Sequence, residues 1–172
     1  MREPYLLPVS STPPAKFFRL SDLRKLRRCE QVAAVCYRRG KRGIEFLLVE
    51  TDKGRWTFPK GSAEPGLTHA QAAALEAYEE AGVVDGRMEE VAFTSYTRKE
   101  GKMRSVAHAA LVHAHLCEVL KLDPPLEFKR NPTWFTAEQA KLRLRENRKP
   151  GAGSALAQVI AGAVSRIRSI TV

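Results

Sequence analysis

The sequence predicts an α/β (α+β) sandwich, a mixed β-sheet covered by helices, and three observations predict it. Apolar runs of strand length recur between residues 31 and 116. A capped, Ala-rich helical segment interrupts them at 68–81, and an amphipathic stripe closes the chain at 154–167. At 172 residues the chain has single-domain size. It divides into a Pro-rich and basic N-terminal extension, 1–29, and one domain, 30–172.

The elements follow in order. Pro4, Pro8, Pro13 and Pro14 make residues 3–15 an arm, because each removes a backbone donor and fixes φ. Phe18, Leu20, Leu23 and Leu26 alternate with Arg19, Arg24, Lys25, Arg27 and Arg28, the pattern of a short basic helix capped by Ser21. Its basic face is either solvated or turned to phosphate. Residues 31–37 (QVAAVCY) and 44–49 (IEFLLV) read as strands joined by a basic hairpin loop, and Trp56-Thr57-Phe58 as a third strand stopped by Pro59. Thr68 and Gln71 make a capping box for the helix, and Gly82 stands at its left-handed C-cap.

Residues 91–98 and 106–116 form a long hairpin linked through Lys99-Glu100-Gly101-Lys102. Both faces of the second strand are mostly apolar, which makes it central. Trp134-Phe135 leads into a helix capped by Thr136 with Gln139 at its third position. Residues 147–153 break the chain, and Ser154 opens a last helix striped by Leu156, Val159, Ile160, Ala163, Val164 and Ile167.

Composition excludes several classes. With 44% hydrophobic and 28% charged residues, the chain is neither disordered, collagen-like nor a coiled coil. Cys29, Cys36 and Cys117 have no C-x-x-C spacing, so neither a disulfide framework nor a zinc site is expected. Reduced, buried thiols fit a cytoplasmic protein. No secretion signal or membrane span is read, because no run of about 18 apolar residues occurs. Lys and Arg total 29 against 19 Asp and Glu, a net charge of +10, which favours an anionic partner.

Chemistry concentrates on the central helix. Glu76, Glu79 and Glu80 stand at i, i+3 and i+4, inside a sector about 100° wide. Ala70, Ala74, Ala77 and Ala81 form the adjoining stripe, whose small side chains bring the helix backbone close to a sheet. Three carboxylates drawn inward call for a compensating cation, and an all-oxygen set suits Mg²⁺ or Mn²⁺. The preceding loop, Pro59-Lys60-Gly61-Ser62-Ala63-Glu64-Pro65-Gly66, turns sharply enough to point main-chain atoms at a metal or a phosphate. The alternative is a surface helix whose Glu residues serve solubility.

Gly61 to Val83 resembles the Nudix box: Gly, five residues, Glu, seven residues, Arg-Glu, an aliphatic, any residue, Glu-Glu, any residue, Gly, an aliphatic. Gly61, Glu76, Glu79, Glu80, Gly82 and Val83 match at the required spacing, with Ala77 a weak aliphatic. The five Gly and Glu matches would arise by chance in roughly one chain of this length in ten thousand. Leu67 and Leu75 replace the box Glu and Arg. One reading exchanges an ion pair for an apolar contact, which can be energetically neutral; the other loses an orienting Arg.

Residues 31–37, 54–61 and 98–104, Trp134-Phe135 and Arg148-Lys149-Pro150 are similar to the diphosphoinositol polyphosphate and diadenosine polyphosphate phosphohydrolase branch. This resemblance implies a Nudix fold. It also implies Glu79 as proton acceptor, Glu76 and Glu80 as catalytic metal ligands, and a main-chain oxygen near Gly61 assisting. Glu100 is the second-choice base. Around the pocket mouth it places Arg27, Arg28, Arg98, Lys99, Arg104, Arg130 and Lys149, to which Lys60 is added as a phosphate contact; each has the alternative of solvated surface.

The expected activity is metal-dependent cleavage of a pyrophosphate linkage in a highly phosphorylated small molecule. The alternatives are a polyphosphate sensor that does not cleave, and an RNA 5′-end pyrophosphohydrolase, with no membrane partner and the oligomeric state open. His69, in the first helical turn, reads as exposed, while His108, His113 and His115, along one strand with opposed faces, read as core or pocket histidines rather than ligands; Tyr96 and Trp134 either stack on a ring or fill the core.

Overall fold

The computed structural model describes residues 30–103 and 106–171, with the side chains of 99–103 and 106–108 outside that description. The expected N-terminal helix, with Arg27 and Arg28, and the expected contact Arg104 lie outside the described residues.

The sheet is built on two long strands, β1 (Glu30–Gly40) and β7 (Val106–Leu122), paired in parallel from Glu30↔Leu111 to Tyr37↔Glu118. β2 (Gly43–Glu50) folds back on β1, and β3 (Trp56–Thr57) pairs with β2. β4 (Lys60–Ser62) pairs antiparallel with β1, putting Gly61 opposite Val32. β5 (Val83–Met88) and β6 (Thr94–Met103) pair with β7, and β8 (Thr133–Thr136) with β2. The sheet is thus mixed, as expected, and β7 is central.

Alternation along β1 divides the core. Ala33, Val35 and Tyr37 face one apolar cluster. In it, α2 (Ala137–Arg145) contributes Ala140 and Leu144, and α3 (Pro150–Ser169) contributes Leu156, Val159, Ile160, Ala163 and Ile167. Val32, Ala34 and Cys36 face the other, covered by Ala72, Ala73, Ala77 and Ala81 of α1 (His69–Ala81). A strand buried on both faces is near-continuously apolar, which is why QVAAVCY reads so clearly. Each large side chain buried here, such as Phe46 or Ile160, contributes about 1.5–3 kcal/mol.

Several expectations are corrected. β4 and β5 carry no apolar alternation (KGS, VVDGRM), so the sequence gives no strand signal there. Lys99–Lys102 do not form the hairpin link: they lie within β6, which has a bulge between Glu100 and Lys102. α3 begins at Pro150, four residues before Ser154. Pro occupies its first turn, where the missing N–H costs nothing. Gly153 lies against α2: a Cβ there would stand 3.0 Å from the Cα of Arg145, so this Gly serves helix packing and not a linker. Ala74 is exposed, and Ala73 faces the sheet in its place.

Candidate active site

α1 is fixed at both ends. The Thr68 hydroxyl accepts from Gln71 N–H while the Gln71 side chain accepts from Thr68 N–H. Gly82 ends the helix at φ 74°, with its N–H on the carbonyls of Ala77 and Tyr78. A Cβ at Gly82 would also collide with the carbonyl oxygen of Asp123, so residue and turn select each other.

This anchoring sets Glu76 and Glu80 along β4, with Glu79 near enough to Glu76 to act on its charge. Glu76 presses its carboxylate against Gly61 so closely that a Cβ there would overlap its oxygens. Glu80 is 4% exposed. Its Oε2 accepts the Lys60 backbone N–H at 3.2 Å, and its Oε1 accepts Nη2 of Arg130 at 3.0 Å. Burial, joined by Glu80, Glu79, Glu127 and Glu64, pushes the Glu76 carboxyl up to about 7. Burial also raises Glu80, opposed by Arg130 and Lys60. Among the described residues, the Glu76 and Glu79 carboxylates have no hydrogen-bond or ion-pair partner.

Across β4 the charge reverses. The Lys60 ammonium is pulled down to about 8, first by burial and then by Arg98, with Glu80 opposing and Arg130 and Arg148 adding to the fall. Arg98 is exposed and donates to Gln31 Oε1 at 3.2 Å. Arg148 is half-buried and donates to the Leu144 carbonyl at 2.9 Å. The Tyr96 hydroxyl is buried with no hydrogen-bond partner among the described residues. Burial raises its pKa while Arg98 and Arg148 oppose.

The expected residues therefore fall into three groups. Gly61, Glu76, Glu79, Glu80, Lys60 and Arg98 converge on the two sides of β4. Arg130 comes to the same place but turns to Glu80 and to Glu127. Lys149 is the exposed N-cap of α3, while Lys99 and Glu100 lie on β6 with their side chains outside the description.

Sequence reasoning named Arg148 only as part of the Arg148-Lys149-Pro150 resemblance and not as a site residue, and it missed Glu127. Both sit in stretches without periodicity, and the Pro that follows Lys149 was the nearby signal. Leu67 is 38% exposed and Leu75 half-buried; neither joins either apolar cluster. Tyr96 belongs to the core, and Trp134 packs against the α1-side cluster with Arg38 stacked 4.2 Å over its ring.

Among the described residues, no three His, Cys, Asp or Glu side chains are drawn together as a metal cage. His115 is core, its Nδ1 3.0 Å from the Glu89 carbonyl, whereas His69 and His113 stack on each other beside Glu30. The carboxylate face nevertheless fits a hard cation. Its donors are all oxygen, Gly61 cradles one carboxylate, and the crowding that lifts Glu76 is relieved by positive charge. No helix among the described residues is long and apolar enough to cross a membrane, and Cys36 and Cys117 are free and buried.

The geometry can be set beside known proteins. The pattern of the family described as NUDIX domain matches residues 28–158. A bis(5′-nucleosyl)-tetraphosphatase (asymmetrical) from Sus scrofa is 47% identical over 47 residues, 26% of this chain and 32% of that protein, so the match spans about a third of the relative. The crystal structure of a C. elegans Ap4A hydrolase binary complex superposes with TM-score 0.56 at 24% identity, over 78% of this chain and 98% of that one. The NUDIX domain of Shewanella oneidensis NrtR, complexed with ADP ribose, gives TM-score 0.61 at 16% identity, over 81% and 88%. Because the matched stretch runs from β1 through the whole of α1 and into α3, the chain belongs to the NUDIX domain family.

Proposed function

We propose that the chain is a divalent-cation-dependent pyrophosphohydrolase acting on a highly phosphorylated small molecule, a dinucleoside polyphosphate or a diphosphoinositol polyphosphate. One observation carries this reading: a crowded carboxylate face and a cationic group meet along β4, so a polyphosphate could lie with one linkage at the acids and its other phosphates at the bases. The name of the Sus scrofa relative supports the dinucleoside class.

Glu76 and Glu80, with a main-chain oxygen near Gly61, would hold Mg²⁺ or Mn²⁺, and such an ion supplies neutralisation of the pyrophosphate oxygens. Glu79 lies one turn from Glu76, and among the described residues its carboxylate has no partner; it takes the proton from water as that water attacks phosphorus and the bridging P–O bond breaks, its electron pair leaving with the departing phosphate or nucleotide. Lys60, Arg98 and Arg148 bind phosphate oxygens, Arg98 and Arg148 as planar forks and Lys60 as a point charge. Arg28, Lys99, Arg104 and Lys149 extend this patch along the mouth. Glu100 is the fallback base if Glu79 proves dispensable.

The test is Mg²⁺- or Mn²⁺-dependent product release from diadenosine polyphosphates, diphosphoinositol polyphosphates, nucleotide sugars and triphosphorylated RNA. Glu79→Gln should lower turnover by about 10² or more; unchanged turnover removes the assignment. Leu67 and Leu75 support a second reading, a sensor, for which a panel member would raise the melting temperature without being cleaved. The RNA reading rests on basic stretches of the sequence at 24–28 and 141–149, with no aromatic-rich RNA-binding strand motif beside them, and stands third.

A further inference from the structure

α1 carries Glu76, Glu79 and Glu80 and no Lys or Arg, so a side-chain cation that steadies Glu80 must come from another element. Arg130, fifty residues further on, does this. It ends a 3-10 turn, Phe128–Arg130, which Asn131 closes at φ 47°. Its Nη2 reaches Glu80 Oε1 at 3.0 Å and its Nε donates to Glu127. The turn is tied down on both sides. The Glu127 N–H donates to the Glu79 carbonyl at 3.0 Å, and Asn131 Nδ2 donates to Glu50 at 3.2 Å. A guanidinium held by two carboxylates, on a turn bonded to α1, is arranged to fix an oxygen rather than to follow a substrate.

Together with the Lys60 N–H, Arg130 determines where both Glu80 oxygens point. Without it, a nearly buried carboxylate would keep one main-chain donor and would either take up a proton or swing outward.

We propose that Arg130 is a positioning residue, not a phosphate ligand: it aims the Glu80 carboxylate from outside the helix, supplying the positive charge that α1, with Leu75 in its middle, does not hold. This rests on the reading of Glu80 as part of a hydrolytic site, and the test separates the two.

The first arm needs no metal and no substrate. In metal-free melting, Arg130→Ala should lower the melting temperature by about 5 °C or more. In a Glu80→Gln background the same change should cost less than half of that, because what is then lost is the exposed pair with Glu127 and a hydrogen bond to a neutral amide, with no buried charge left unpaired. Equal shifts in the two backgrounds overturn the proposal.

The second arm is kinetic, with the substrate that Glu79→Gln fails to cleave. Arg130→Ala should lower kcat about 10- to 100-fold while KM stays within about threefold of the parent, and Arg130→Lys should recover part of the loss. A raised KM that is less sensitive to salt, with kcat intact, is the signature of a phosphate contact and overturns the proposal. If the parent chain cleaves nothing, the functional reading fails, and the metal-free cycle alone decides whether Arg130 positions Glu80.

Discussion

The two sides of β4 differ in how their charge is held as well as in its sign. On the acidic side every constraint is short. α1 is capped at both ends, Gly61 receives Glu76 without a Cβ between them, and Glu80 accepts one donor at each oxygen. On the basic side, Lys60 is half-buried at a cost that lowers its pKa to about 8, and the Tyr96 hydroxyl is buried with no partner among the described residues. Like charges crowd there too: Arg98, Arg130 and Arg148 all oppose the Lys60 charge. A rigid acidic half suits chemistry that tolerates little misplacement. A strained cationic half suits an anion that relieves the strain on arrival.

The contrast can be broken most sharply at Gly61. Gly61→Ala inserts a methyl where the Glu76 carboxylate lies, and metal-dependent turnover should fall by about 100-fold. Circular dichroism and melting would show whether the fold persists; retained turnover would mean that the Gly61–Glu76 contact is not needed.

Next comes Lys60→Gln, which removes charge from the basic half alone. KM should rise about tenfold with kcat little changed, and its salt dependence should flatten. In the parent enzyme the same rise should begin above about pH 8, where the Lys60 ammonium loses its proton.

The acidic half responds to pH in the opposite range. The Glu76 carboxyl titrates near 7, above its ordinary value, so the folded chain holds a proton that the unfolded chain has released. Metal-free stability should therefore fall as pH rises from about 4.5 to about 7. Mn²⁺ affinity should climb over that span by about tenfold per unit at most, since proton and ion compete. Titration of Mn²⁺ by electron paramagnetic resonance reads this directly, and a flat profile would refute the crowding account.

The smallest effect is expected at Leu75. Leu75→Arg alone should change stability by about 1 kcal/mol or less, and Leu67→Glu should improve on it only if the two sites are coupled. With Leu67 38% exposed, a pair no better than the single change would show that no apolar contact replaced an ion pair.

The acidic half was legible in the sequence because its signals are local. The capping box, Thr68 to Gln71, spans four residues, the carboxylates, Glu76 to Glu80, span five, and Gly61 lies in the short stretch that precedes the helix. The basic half was only partly legible. Arg98 lies on a strand whose run could be read, and Lys60 was found in the Pro- and Gly-bearing stretch before the helix, on a strand that had no signal of its own, but Arg148 sits in a stretch that reads as a break, because Pro and two Gly mask the first turn of α3. Arg130 was found as a residue and not as a partner: its ion pair with Glu80 spans fifty positions, and nothing local to either side chain records it. The fold shows the same division. Strands buried on both faces stood out, whereas β4 and β5 follow backbone pairing with no apolar pattern.

The most direct measurement of the central claim is phosphorus NMR of diadenosine tetraphosphate and of a diphosphoinositol polyphosphate incubated with the intact chain and Mg²⁺, beside Glu79→Gln. The account predicts metal-dependent cleavage of a phosphoanhydride bond in at least one of them, lost by about 10² or more in the variant. No cleavage of either, with a raised melting temperature for one, would contradict it and make the chain a binder that the two halves hold without reaction.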